Sequence, residues 1–238
     1  MIAIFGPTGV GKTEVALELA DLLREHGEDP VAIGADALQV YEGLQVLTGA
    51  ANQQERERLE HRLTGFVAVT EKFDVGQYMP LAHAEIDAAL DAGRRPIVVG
   101  GTGLYLRAAI ADLSLEKAAP GEDSELWSEE TRHPTVLVGL NMDRERLYER
   151  IERRVEAIVA GGAEAEVRAA QAAGPSHTAR VALGFDELLA GDVAALKQRS
   201  RNYARRQLAW MRKMAGLEEI DVTGMSAREV ATRIAHRL

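Results

Sequence analysis

The chain has no cysteine among its 238 residues, which excludes disulfides and thiolate metal sites and leaves the redox compartment unread. No apolar stretch is long enough to cross a membrane. Met1 opens directly onto the apolar run Met1 to Phe5, leaving no room for a signal peptide, so a cytoplasmic protein with no membrane partner is expected. Internal repeats and low-complexity tracts are also lacking. An excess of positive charge is missing too: the formal net charge is −9, which argues against indiscriminate nucleic-acid binding. The remainder, 46% hydrophobic and 27% charged, is ordinary for a soluble globular protein. The length allows one domain with an appendage or two small ones.

What is present begins at once. Gly6-Pro7-Thr8-Gly9-Val10-Gly11-Lys12-Thr13 fits the phosphate-loop pattern of a glycine, four residues and Gly-Lys-Thr. A short apolar strand precedes it and the amphipathic run Glu14 to His26 follows. The glycines let backbone amides turn toward phosphate oxygens, and the helix N-terminus adds its dipole. Lys12 supplies a point charge, and the Thr13 hydroxyl is placed to hold Mg²⁺. A Gly-rich turn that binds nothing would not need this lysine, threonine and context together. The chain is expected to bind a di- or triphosphate.

Strand and helix signals then alternate. Val31 to Gly34, Pro96 to Val99, Thr135 to Leu140 and Glu219 to Val222 read as strands. Pro80 to Leu90 reads as a helix with proline in its first turn, closed by Gly93. Arg144 to Ala160 carries Leu147, Ile151, Val155 and Ile158 at core spacing and stops at Gly161-Gly162. Ser226-Ala-Arg-Glu229 is a capping-box signature for a terminal helix. The stretch Leu115 to Pro134 is polar and reads as an excursion between sheet elements. The expected fold is α/β, a parallel sheet of the P-loop NTPase kind flanked by helices. Residues 1–160 form its core, and 161–238 a helix-rich part packed on it with a last strand near 219–222.

Asp36 follows the second strand, where a carboxylate faces the crevice in which such sheets bind ligands. It can act as a base, as an outer Mg²⁺ ligand, or simply as a turn aspartate. The strand Pro96 to Val99 runs into Gly100-Gly101-Thr102-Gly103 with no acid, unlike ordinary phosphate-loop ATPases and kinases. That favours an enzyme for which a phosphate is the leaving group. From Lys197 to Lys213 lie seven bases and no acid: Lys197, Arg199, Arg201, Arg205, Arg206, Arg212 and Lys213. A basic helix in an acidic protein suggests a local polyanion site, the plainer alternative being a solvated face. Arg201, Arg205 and Arg212 fall near one face of it, and Tyr203, Trp210 and Met214 on another that suits core packing.

These blocks resemble the tRNA dimethylallyltransferase (isopentenyltransferase) family. The resemblance is carried by the phosphate loop, Ala35-Asp36 with Gln39-Val40-Tyr41, and Val98 to Tyr105. Further on it is carried by Leu147-Tyr148, Arg150-Ile151, Arg154-Val155, Leu183-Gly184-Phe185, and Tyr203 to Leu208 with Trp210. It implies a prenyltransferase moving a five-carbon group from dimethylallyl diphosphate to an adenosine amine beside the tRNA anticodon. It further implies Gly6 to Thr13 as the diphosphate site, with Mg²⁺ at Thr13. Lys12, Asp36 and Thr102 become the catalytic residues, Asp36 as base. Asp36, Ala37, Leu38, Gln39, Thr102, Arg201, Arg205, Arg206 and Gln207 become the tRNA-contacting set. Family members usually carry a helical insertion that grips the anticodon stem, and only the polar stretch near 115–134 stands in its place. A free adenine nucleotide is therefore the alternative acceptor and a small-molecule kinase the third reading. A monomer is expected.

Overall fold

A computed structural model of the chain describes residues 1–114 and 125–238. In chain order the first elements are β1 (Ile2–Phe5), α1 (Lys12–Glu25), β2 (Pro30–Gly34), α2 (Gln45–Thr48), α3 (Gln53–Arg58) and β3 (His61–Arg62). Then come α4 (Val75–Asp91), β4 (Arg95–Gly100), α5 (Gly103–Ile110), β5 (Val136–Asn141), α6 (Arg144–Ala160) and α7 (Ala163–Ala173). The chain closes with α8 (His177–Arg180), α9 (Phe185–Leu189), α10 (Val193–Met211), β6 (Glu218–Asp221) and α11 (Ala227–Ala235).

The strands form one six-stranded sheet in the order β3-β2-β4-β1-β5-β6, every pair parallel. A parallel sheet is covered on both faces, so its strands are apolar at every position rather than alternately. β1 shows this: all four of its residues are buried. Ala3 and Phe5 join Val31, Ile33 and Val98 under α4 and α5, while Ile2 and Ile4 join Ile97 and Val138 under α1 and α11. The residue period of two thus divides one strand between two cores.

The expected strands are all found within a residue or two, and the expected last strand pairs with β5 at Val138↔Glu218. Residues 161–238 therefore serve two places. β6 and α11 complete the sheet and its cover, while α10 lies across the carboxyl ends of the strands, where its Gln207 bonds the Gly101 carbonyl.

Two elements differ from expectation. α4 starts before Pro80, because Asp74 and Gln77 make a reciprocal capping box; Pro80 sits inside the helix and not in its first turn. β3 has two residues, too short for any periodicity to register. Of the expected polar excursion, residues 115–124 lie outside the described residues. Its return includes a turn at Glu125–Trp127, and Arg132 and His133 are pinned to Asp87 of α4.

The sheet's carboxyl end leaves no room at Gly100: a Cβ there would stand 1.9 Å from the Ala35 carbonyl oxygen. Gly100→Ala is expected to cost about 3 kcal/mol or more, because backbone must move. Gly27→Ala, in open space but at φ +80, should cost about 1 kcal/mol. Urea unfolding of the two variants checks the contrast, and equal losses would show that this strand-end packing does not limit the fold.

Candidate active site

The loop after β1 turns through Gly9 (φ 83) and Gly11 (φ 101), a conformation that glycine adopts without a Cβ clash. Gly11 caps α1 with no side-chain bond to its first amides, which leaves that helix end open to an anion. Thr8, Gly9, Gly11, Lys12 and Thr13 line a cleft of about 540 Å³. Gly6, Pro7 and Val10 stand behind it. Val10 is buried, and the carbonyls of Gly6 and Pro7 accept from Lys12 Nζ at 2.8 and 3.1 Å. Burial pulls the Lys12 pKa down to about 8, against the attraction of Asp36.

Asp36 enters from the end of β2. Its Oδ1 accepts from the Leu38 amide at 3.1 Å, so the turn-aspartate reading is correct for one oxygen. The other faces the cleft. The position a Cβ on Gly101 would take lies 3.4 Å from Asp36 Oδ2, 3.4 Å from Lys12 Nζ and 2.4 Å from Gln207 Nε2. The Gly-Gly turn is therefore the floor on which carboxylate, ammonium and amide converge.

Thr102, next along, accepts from the Ala37 amide at 3.2 Å and lies 3.5 Å from the Tyr203 hydroxyl. Burial, followed by the nearby Asp36 charge, pushes the Tyr203 phenol well above its ordinary pKa, so it stays a neutral hydroxyl. Leu38 and Gln39 line the cleft. Gln39 also donates to the Thr48 and Gly49 carbonyls at 3.4 and 3.3 Å.

Gln207 takes a framework position. It is buried, accepts from the Thr8 amide at 2.8 Å and donates to the Gly101 carbonyl at 2.8 Å. One side-chain amide thus joins phosphate loop, Gly-Gly turn and α10. Arg201, Arg205 and Arg206 do not line the cleft. Arg201 is held by Glu152 and Gln198 at 2.8 and 2.7 Å, whereas Arg205 and Arg206 are exposed. Arg206 lies over the Tyr203 ring, 5.5 Å from its centroid.

Three residues with a place in the cleft were left out of the sequence-based site. Arg150 donates to the Gly9 carbonyl at 2.7 Å. Arg154 donates to the Thr48 carbonyl at 2.8 Å, and burial lowers its pKa. The signal was present, since both lie on the α6 face beside Ile151 and Val155, at helical spacing from the core stripe. Tyr203, on the helix face that suits core packing, turns instead into the cleft, while Trp210 packs on Gly103 and Met214 is buried.

Leu47, Val155, Ile158, Leu183 and Leu196 give the cleft an apolar end. Among the described residues no group of three carboxylate or imidazole side chains could hold a metal. Thr13 and Asp36 both line the cleft, hard oxygen donors in the small number that suits Mg²⁺ arriving on a diphosphate.

Comparison with known proteins places this architecture. A family model described as IPP transferase matches residues 39–134 and 117–214, and one described as isopentenyl transferase matches residues 1–64. A tRNA dimethylallyltransferase of Streptococcus agalactiae is 32% identical over 93% of this chain and 92% of its own. The chain belongs to the tRNA dimethylallyltransferase family. A second member, from Kineococcus radiotolerans, is 32% identical over 90% of this chain and 88% of its own. The crystal structure of the full-length tRNA isopentenylpyrophosphate transferase of Bacillus halodurans superposes with TM-score 0.82. It is 28% identical and covers 99% of this chain and 95% of its own. The alignment to the Streptococcus member runs over 278 positions yet takes in 93% of 238 residues, so that relative has stretches with no counterpart here. The two IPP transferase matches overlap at 117–134, which locates the shortening in the polar excursion.

The lowered pKa of Lys12 makes a measurable prediction. A bound diphosphate favours Lys12 in its charged form, so binding takes up a proton once the pH exceeds about 8. Affinity for inorganic diphosphate, measured by calorimetry, should fall as pH rises from 7 to 9.5, by up to about tenfold per pH unit. Lys12→Met shares the titration of the ligand itself and should lack this fall. Parallel pH profiles for the two proteins would place Lys12 away from the anion.

Proposed function

We propose that this chain transfers the dimethylallyl group of dimethylallyl diphosphate to the exocyclic amine of an adenosine beside the tRNA anticodon, releasing diphosphate. The observation that carries the reading is the convergence of Asp36 Oδ2 and Lys12 Nζ on one space above Gly101, at the head of a phosphate-loop cleft. A displacement at an allylic carbon needs these two groups together. The amine nitrogen bonds to the allylic carbon as the carbon–oxygen bond breaks, and its electron pair leaves with the diphosphate. Lys12 and the loop amides meet the charge that develops there. Asp36 takes the proton from the amine, whose lone pair is otherwise delocalised into the adenine ring.

Thr13 would hold Mg²⁺, which supplies further neutralisation of the leaving diphosphate. Arg154 adds positive charge to the cleft, Arg150 braces the loop at Gly9 while paired with Glu14, and the apolar end of the cleft suits the prenyl carbons. Asp36, Leu38, Gln39 and the neutral Tyr203 hydroxyl line the wall offered to the adenosine, with Thr102 behind it, joining the Ala37 amide to Tyr203. Arg205 and Arg206, open to solvent, suit the tRNA phosphates. Arg201 is committed to Glu152, so its share in RNA binding is small, and Gln207 acts by holding the loop to the turn.

Asp36→Asn keeps the size and the Leu38 turn but cannot accept a proton. Prenyl transfer should slow by roughly 10²- to 10⁴-fold with donor affinity nearly unchanged. Donor affinity falling in step with rate would make Asp36 part of the diphosphate or metal site. The acceptor is tested by offering dimethylallyl diphosphate with either an anticodon stem-loop or AMP. The stem-loop should be the one prenylated; AMP prenylation without stem-loop prenylation would assign the free nucleotide.

A further inference from the structure

The seven cations between Lys197 and Lys213 divide into two groups in the fold. Lys197 pairs with Glu156, Arg199 with Glu187 and Arg201 with Glu152. These three fasten α10 to α6 and α9, and their charge is neutralised. Among the described residues, Arg205, Arg206, Arg212 and Lys213 have no carboxylate within ion-pair distance, and all four are exposed. In a chain of net charge −9, four adjacent unneutralised cations form a local attraction for an anion.

The last two have a distinct setting. Lys213 lies over the ring of Trp127, 5.4 Å from its centroid. Trp127 in turn packs on Trp210, with centroids 4.8 Å apart and planes at 50°. Trp210 is the residue that covers Gly103, next to Thr102: a Cβ on Gly103 would stand 2.3 Å from its ring. Trp127 belongs to the turn that follows residues 115–124, within the stretch where the chain is shorter than its relatives. This turn is thus docked on α10 through an aromatic pair, with a lysine on the outer ring. From Tyr203 to Met211, its last residue, α10 rises about 12 Å, and Arg212 and Lys213 follow directly, the reach of a few nucleotides outward from the adenosine wall.

We propose that Trp127, Arg212 and Lys213 form a second RNA contact, in which the two cations take backbone phosphates and Trp127 stacks on a base flanking the modified adenosine. The inference rests on the tRNA reading and adds to it a surface beyond the cleft. A phosphate arriving at Lys213 draws its exposed ammonium off the ring and frees that face for a base. Base–aromatic stacking tolerates any sequence, and the phosphates add the salt-dependent part of the affinity.

The contact carries its own probe, because the chain has two tryptophans and both are in it. An anticodon stem-loop titrated into the full-length protein should change tryptophan emission, while AMP with dimethylallyl diphosphate should leave it unchanged. In the Arg212→Ala/Lys213→Ala double variant, the slope of log affinity against log salt should flatten by about 1.4, from two single-strand contacts. Lys213→Glu should flatten it further. Trp127→Ala should bind the stem-loop about tenfold more weakly, and Trp127→Phe should recover most of that loss. If the stem-loop is bound and prenylated but emission and salt slope are unmoved in these variants, this surface is not an RNA contact and the catalytic reading stands. If the stem-loop is neither bound nor prenylated while AMP is prenylated, both fail together.

Discussion

A buried side-chain amide ties together the two loops at the head of the cleft. Gln207 accepts from the phosphate loop at Thr8 and donates to the Gly-Gly turn at Gly101, and both partners are main-chain groups at the ends of neighbouring strands. β1 and β4 bring those ends side by side, and Phe5 pairs with Gly100. The amide then sets the distance between the phosphate loop and the turn beside Asp36. Because Gln207 lies on α10, that basic helix is tied to both. Burial makes the bond to the Gly101 carbonyl costly to lose, since both of its partners are shielded from water.

The electrostatics of the cleft oppose those of the whole molecule. An acidic chain gathers Lys12, Arg150, Arg153 and Arg154 around one cleft, against the carboxylates of Glu14, Asp36 and Glu55. Two of the four cations, Lys12 and Arg154, have lowered pKa values because burial disfavours their charge. An anion bound beside these two groups would favour their charged forms.

α10 shows that charge counted along a sequence is not charge available at a surface. Its first three cations are consumed by Glu156, Glu187 and Glu152, all brought there by other helices. Its last four are left open, beside a turn docked by Trp127. That turn lays an aromatic ring on Trp210 and under Lys213.

The local pattern of the chain determined a good deal. The apolar runs, the Gly-Lys-Thr loop, the core stripe of α6 and the capping box at Ser226 each depend on residues close in sequence, so strands, helices and the loop between β1 and α1 were legible directly. Asp36 was legible as a strand-end carboxylate, though its division between turn and cleft was not. The tertiary structure alone decided that Gln207 bridges two loops about a hundred residues or more away, that Arg150 and Arg154 close the cleft, that Tyr203 faces it, and that Arg201 is spent on Glu152. Each of those outcomes depends on which distant element packs opposite, and helical periodicity names a face without naming what that face will meet.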